Sequence, residues 1–159
     1  MTFKDLLTLL LLFALAISAC AAAEEPKATL ETRAVAALDA GDRRAAVHAL
    51  ERLRFQNQLS DSMRLALAQT YLEQGRLDEA RIEAERIEYL TVGADLLWLR
   101  ARLAAREGQW AEARDRYLAI LRIDPDSAEA YLGLGQSLQE LGDTASADAA
   151  FAGYVRYND

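Results

Sequence analysis

The chain is predicted to be all-α, a stack of about four helix–turn–helix units, and three observations predict it. Gly41, Gly75, Gly108 and Gly142 stand 34, 33 and 34 residues apart. Five positions beyond each lies an alanine (Ala46, Ala80, Ala113, Ala147), and seven positions before each lies another small residue (Ala34, Ala68, Ala101, Gly135). The composition is rich in Ala, Leu, Glu and Arg, which suits helices and gives no support for a sheet. One glycine and two small positions per period of about 34 are the mark of stacked helix pairs.

Each unit reads as an amphipathic helix, a glycine stop, a short turn and a second amphipathic helix. The expected units cover about 27–60, 61–93, 94–127 and 128–159. The glycine closes the first helix in the left-handed conformation, without a Cβ penalty. The small residue before it and the alanine after it let the two helices approach closely. Larger residues then fill the gap: Leu50 with Leu53, Tyr117 with Ile120, and Phe151 with Tyr154. In the second unit the pair is Ala84 with Ile87, a thinner filling. No unit buries its apolar face alone, so neighbours must stack to make a core.

In the fourth unit Asp126 and Glu129 have the spacing of a capping box. Asp124-Pro125-Asp126-Ser127 closes one unit and opens the next, and Tyr131, Leu134, Gly135, Leu138, Gly142, Ala147 and Phe151 follow at characteristic spacings. Over residues 27–159 this pattern resembles the tetratricopeptide repeat. The resemblance implies a right-handed solenoid whose first helices line a concave surface. Arg33 and Arg100 depart from it, standing where the family has a buried aliphatic. That departure predicts rotated or loosely packed first helices in units one and three.

Residues 1–19 read as a signal segment outside the fold. Met1-Thr2-Phe3-Lys4 gives a weakly positive start, and Leu6 to Ile17 is a run of twelve, apolar but for Thr8. That length suits a signal-peptide core and is short for a membrane span. The run ends in Ile17-Ser18-Ala19-Cys20, which resembles the lipobox of bacterial lipoproteins. The resemblance implies a lipidated Cys20 at the mature N-terminus, followed by a short linker through residue 26. The other reading is an ordinary cleavage site at Ala21-Ala22-Ala23 with Cys20 incidental. Cys20 is the only cysteine, and an unpaired thiol is awkward in an oxidising compartment, which favours lipidation. By family analogy Ala21, in place of an aspartate, implies the periplasmic face of the outer membrane.

The chain carries a net charge of −7, unevenly spread. Residues 27–60 hold six basic and four acidic side chains, and residues 128–159 hold one basic and five acidic. That acidic end argues against nucleic acid, which needs clustered Lys and Arg. The inventory also argues against an enzyme. His48 is the only histidine and reads as part of a solvated helix face. No Cys/His cluster suits a metal and no glycine-rich loop suits a phosphate, so neither metal nor cofactor is expected. Acidic pairs such as Glu83 with Glu85, or Asp78 with Glu79, read as an ordinary charged helix.

What remains is partner binding. Carried over from the family residue by residue, the concave positions are Leu65, Gln69, Leu72 and Glu73, then Trp98, Arg102, Ala105 and Arg106, then Leu132, Gln136, Gln139 and Glu140. Trp98, Arg102 and Arg106 share one helical stripe, and a tryptophan with two arginines has hot-spot composition. The other reading packs Trp98 into the core and leaves the arginines solvated. The Lys and Asn pairs with which family members clamp chaperone tails are missing here. Phe151 and Tyr154 are expected to pack against Tyr131, Leu134 and Leu138, leaving Val155 and Tyr157 partly open. That end is an expected docking face for a homodimer or another protein. Repeats plus lipobox resemble the small lipoproteins of Flp-type and type IV pilus assembly. The alternatives are a periplasmic holder of unfolded clients, as in cytochrome c maturation, and a cell-wall synthesis accessory factor.

Overall fold

The computed structural model describes residues 25–158. The predicted signal segment 1–19, Cys20 and the linker up to residue 24 lie outside the described residues, as does Asp159. Among the described residues there are eight helices and no strand: α1 (Lys27–Asp39), α2 (Arg43–Phe55), α3 (Asp61–Glu73), α4 (Leu77–Glu85), α5 (Tyr89–Arg106), α6 (Trp110–Ile123), α7 (Ala128–Glu140) and α8 (Thr144–Tyr157). The chain divides into two compact units, one ending at Gln58 and the other beginning at Leu59. The first holds the pair α1/α2. The second holds three further pairs, α3/α4, α5/α6 and α7/α8.

The four hairpin turns share one mechanism. Gly41, Gly75, Gly108 and Gly142 have φ of 70°, 75°, 73° and 81°. The residue after each donates its N–H to a carbonyl five back: Asp42 to Ala37, Arg76 to Tyr71, Gln109 to Ala104 and Asp143 to Leu138, at 2.8–3.0 Å. This closure satisfies carbonyls that a helix end would otherwise leave open. α2 ends the same way with Asn57 (φ 55°) in the glycine's place and Gln58 donating to Leu53. Side-chain caps are fewer. Asp42, Ser60 and Asp143 accept from first-turn amides of α2, α3 and α8. The expected Asp126–Glu129 capping box does not form: Asp126 lies in the turn and Ser127 is the N-cap, without a side-chain hydrogen bond.

In the first unit the buried residues are Leu30, Ala34 and Ala37 on α1 and Ala46, Val47, Ala49, Leu50 and Leu53 on α2. Each fully buried leucine contributes about 1.5–3 kcal/mol relative to exposure. In the second unit one core runs from Ala101 and Ala104 through Ala113, Tyr117, Ile120, Ala130, Leu134 and Leu138 to Ala147 and Ala150. Ala34, Ala46, Ala68, Ala80, Ala101 and Ala113 are fully buried. Gly135 is buried as well.

Neither arginine at an aliphatic position loosens its helix. Arg33 points outward and donates to the Glu25 carboxylate at 2.7 and 2.9 Å, while α1 keeps Leu30, Ala34 and Ala37 inside. Arg100 is half-buried and its Nη2 donates to the Ala84 carbonyl at 3.0 Å. α4 has only nine residues, so it ends early and exposes that carbonyl to its neighbour. Burial holds the Arg100 guanidinium below its ordinary pKa, the nearby Arg116 acts in the same direction, and Glu85 opposes both. A second irregularity follows: α5 kinks at Gly93, with φ 48° and ψ −119°.

The acidic residues of α4 are not the uniform charged face expected. Glu83 is fully buried, its Oε2 accepting from Arg64 of α3 at 2.6 Å and its Oε1 lying 3.5 Å from Arg86. Asp78 and Glu79 pair with Arg81 and Arg76 on the surface.

Candidate protein-binding surface

Within the second unit the first helices pack side by side, α3 on α5 and α5 on α7. No second helix approaches the next, so α4, α6 and α8 stand apart with open grooves between them. Two kinds of surface result: the row of first helices, and the grooves on the opposite side.

On the row, Arg102, Arg106, Gln136, Gln139, Glu73 and Glu140 are exposed, and Gln69, Ala105 and Leu132 are half-buried. Arg102 and Arg106 engage no carboxylate among the described residues. Two members of the expected stripe are not available. Leu65 and Leu72 are 7% and 1% exposed. The reason is the character of α3, which buries Leu65, Leu67, Ala68, Thr70, Tyr71 and Leu72 around most of its circumference. Beyond its first turn, what α3 leaves to solvent is the stripe Ala66, Gln69 and Glu73.

Trp98 takes an intermediate place between the two readings open to it. It packs against the second-unit core and meets Tyr117 edge-on, ring centroids 6.1 Å apart and planes at 70°. Tyr117 comes from the second helix α6 yet reaches in between α5 and α7, because Gly133 leaves it room. A Cβ at Gly133 would lie 2.3 Å from the Tyr117 ring. Burial raises the Tyr117 phenol above its ordinary pKa, and the nearby Arg102 pulls it partly back. Trp98 and Tyr117 are therefore packed together, and the exposed Arg102 and Arg106 follow the half-buried indole at four-residue steps along α5.

The opposite grooves were not foreseen in the sequence. The one between α4 and α6, floored by α5, is a hollow of about 340 Å³ lined chiefly by charge: Arg81, Glu85, Arg100, Glu107, Glu112 and Arg116. The one between α6 and α8, floored by α7, is about 360 Å³ and apolar, with Leu118, Tyr131, Leu134, Leu138, Ala149 and Ala150. The signal for it was Leu118, an exposed leucine on a second helix. At the far end Val155 is exposed as expected. Tyr157 is half-buried, so partly open as expected, and it stacks on Tyr131 at 5.6 Å and 14°. Tyr131 in turn lies where a Cβ on Gly153 would go, and Phe151 fills the same role at Gly135. In the first unit His48 is exposed on α2, beside Glu51, Arg52, Phe55 and Gln56.

Sequence models described as "Tetratricopeptide repeat" match residues 32–91 and 129–158, and one described as "TPR repeat" matches 104–142. The chain belongs to the tetratricopeptide repeat family. No curated protein matches it by sequence. Among solved structures, the crystal structure of MamA is similar with a TM-score of 0.72 at 18% identity, covering 89% of this chain and 83% of that one. A second, MamA MSR-1 C2, gives 0.65 at 18% identity over 79% and 72% of the two chains. A tetratricopeptide repeat protein from Parabacteroides merdae ATCC 43184 gives 0.62 at 18%, over 84% of this chain and 53% of that one. Likeness at such identity concerns the fold. The protein is an all-α helical-repeat solenoid, and that fold is a scaffold for protein–protein interaction. Family members are generally scaffolds rather than enzymes.

Proposed function

We propose that the chain is a lipid-anchored repeat scaffold on the periplasmic face of the bacterial outer membrane, serving assembly of an envelope machine of the pilus or secretion kind. The observation that carries the anchor is the ending Ile17-Ser18-Ala19-Cys20 on a twelve-residue run that is apolar but for Thr8. Among the described residues no helix is long and apolar enough to cross a membrane, so attachment falls to the N-terminus in this reading. Three acyl chains at one cysteine, as the lipobox resemblance implies, would make a lasting anchor, since two already do. The partner surface is the row of first helices around Trp98, Arg102 and Arg106. An aromatic edge beside two exposed guanidiniums suits a partner segment with an acidic or carbonyl-rich face.

Metabolic labelling with a fatty acid, followed by separation of inner and outer membranes, tests the anchor. The wild-type chain should carry label and sediment with the outer membrane, and Cys20→Ser should do neither. Equal labelling of the two would end the anchor reading. Cross-linking of the anchored protein in cells tests the machine: recovery of pilin or secretion components supports it, and recovery of haem-lyase or cell-wall synthases alone overturns it.

A further inference from the structure

Phe55, the last residue of α2, is 88% exposed. A single exposed aromatic is ordinary on a protein surface. Its surroundings are less so. The chain enters the first unit at Glu25, and that residue is fastened to the same end of α2. Its carboxylate accepts from Arg52 at 2.9 Å and from Arg33 at 2.7 and 2.9 Å, and its carbonyl accepts from Gln56 Nε2 at 3.3 Å. Arg52 and Gln56 flank Phe55 in sequence, so the entry point and the exposed ring occupy one corner of the unit.

We infer that this corner, Phe55 with the basic helix α2 behind it, is a seat on the surface of an anionic phospholipid membrane. The inference rests on the lipid-anchor reading of Cys20. Cys20 precedes Glu25 by five residues, which span at most about 18 Å when fully extended. The clamp on Glu25 then brings the Phe55 corner, rather than any other part of the first unit, to the headgroup layer. The chemistry fits that neighbour. At this end α2 carries Arg52, which also holds Glu25, and Arg54 against Glu51, while Arg43 and Arg44 lie at its far end. Arginine with an aromatic at the water–lipid boundary is the composition of interfacial helices, where the ring enters the headgroup region and the cations meet acidic lipid. A tether alone leaves a domain free to tumble; a tether clamped beside a membrane-seeking corner fixes which way the first unit faces.

The test uses the full chain, processed in a bacterial host and reconstituted into vesicles of phosphatidylethanolamine with phosphatidylglycerol. A dye on Gln58→Cys sits three residues past an intact Phe55, and a dye on Ala45→Cys sits near the other end of α2, about 15 Å of helix away from Phe55. Both positions are exposed. Fatty-acid content and flotation with the vesicles report the anchor; iodide quenching reports the seat. The expected result is floating protein with quenching lost at 58, retained at 45, and restored at 58 by Phe55→Asp. Protein that carries fatty acid and floats, yet is quenched equally at 58 with Phe55 or Asp, overturns the seat and leaves the anchor standing. Protein without fatty acid that stays in solution overturns the anchor, and the seat with it. Shielding at 58 that requires an added envelope protein rather than lipid assigns Phe55 to that protein and also overturns the seat.

Discussion

Two contacts in the second unit put most at stake on single residues. Glu83 is fully buried and Arg64, its partner at 2.6 Å, is only 16% exposed at the side chain. Removing one member of such a pair leaves the other charge stranded, which costs about 3–5 kcal/mol. Glu83→Ala should therefore unfold at clearly lower denaturant, while a Glu83→Leu/Arg64→Leu double variant should recover much of the loss. Equilibrium urea melts decide between them. The second contact is Tyr117 against Gly133. An alanine there gains about 1 kcal/mol of helix propensity but drives a methyl into a ring that Trp98 already confines, so a net loss of roughly 1–2 kcal/mol is expected. In a Tyr117→Leu background the same Gly133→Ala change should cost little or nothing. Gly153→Ala should be milder than Gly133→Ala, because Tyr131 is half-buried and borders the groove between α6 and α8, whereas Tyr117 is 5% exposed.

At the scale of the helix, the elements that obey local rules were legible and those set by tertiary contact were not. A glycine every 33 or 34 residues announces a turn because the left-handed conformation is a property of the residue itself. Arg100 reads as a defect in the sequence, since nothing local says that α4 stops after nine residues and leaves the Ala84 carbonyl to be satisfied. Leu65 and Leu72 fall on a partner-facing stripe by family register, yet their burial depends on the neighbours of α3 and not on its own pattern. The aromatic sockets at Gly133 and Gly153 were equally silent, as a mid-helix glycine does not name the ring that fills it. The thin filling at Ala84 was legible and has a measurable consequence. Ala84 is buried but lines the 340 Å³ hollow beside α5, so Ala84→Leu has space to extend into. Ala113 is fully buried in the tight core, and Ala113→Leu should cost about 1–3 kcal/mol by overpacking. Thermal melts should rank Ala113→Leu well below Ala84→Leu.

Over the whole molecule, the question is which side of the repeats meets a partner. The row of first helices presents Arg102 and Arg106 without carboxylate partners among the described residues, next to the edge of Trp98. The groove between α6 and α8 presents Leu118 over an apolar floor. The two differ in what salt does to them: contacts to exposed guanidiniums weaken within a screening length of about 8 Å at physiological ionic strength, and apolar burial does not. Arg102 and Arg106 are exposed and Leu118 is 43% exposed, so substitution at any of them should leave the fold intact. Arg102→Glu/Arg106→Glu should abolish cross-linking of envelope partners to the anchored protein, and wild-type capture should fall as salt rises. Leu118→Asp should leave capture unchanged. The reverse pattern, with capture lost in Leu118→Asp and insensitive to salt, would move the binding surface to the outer groove. It would also make Trp98 a core residue whose exposed edge has no partner.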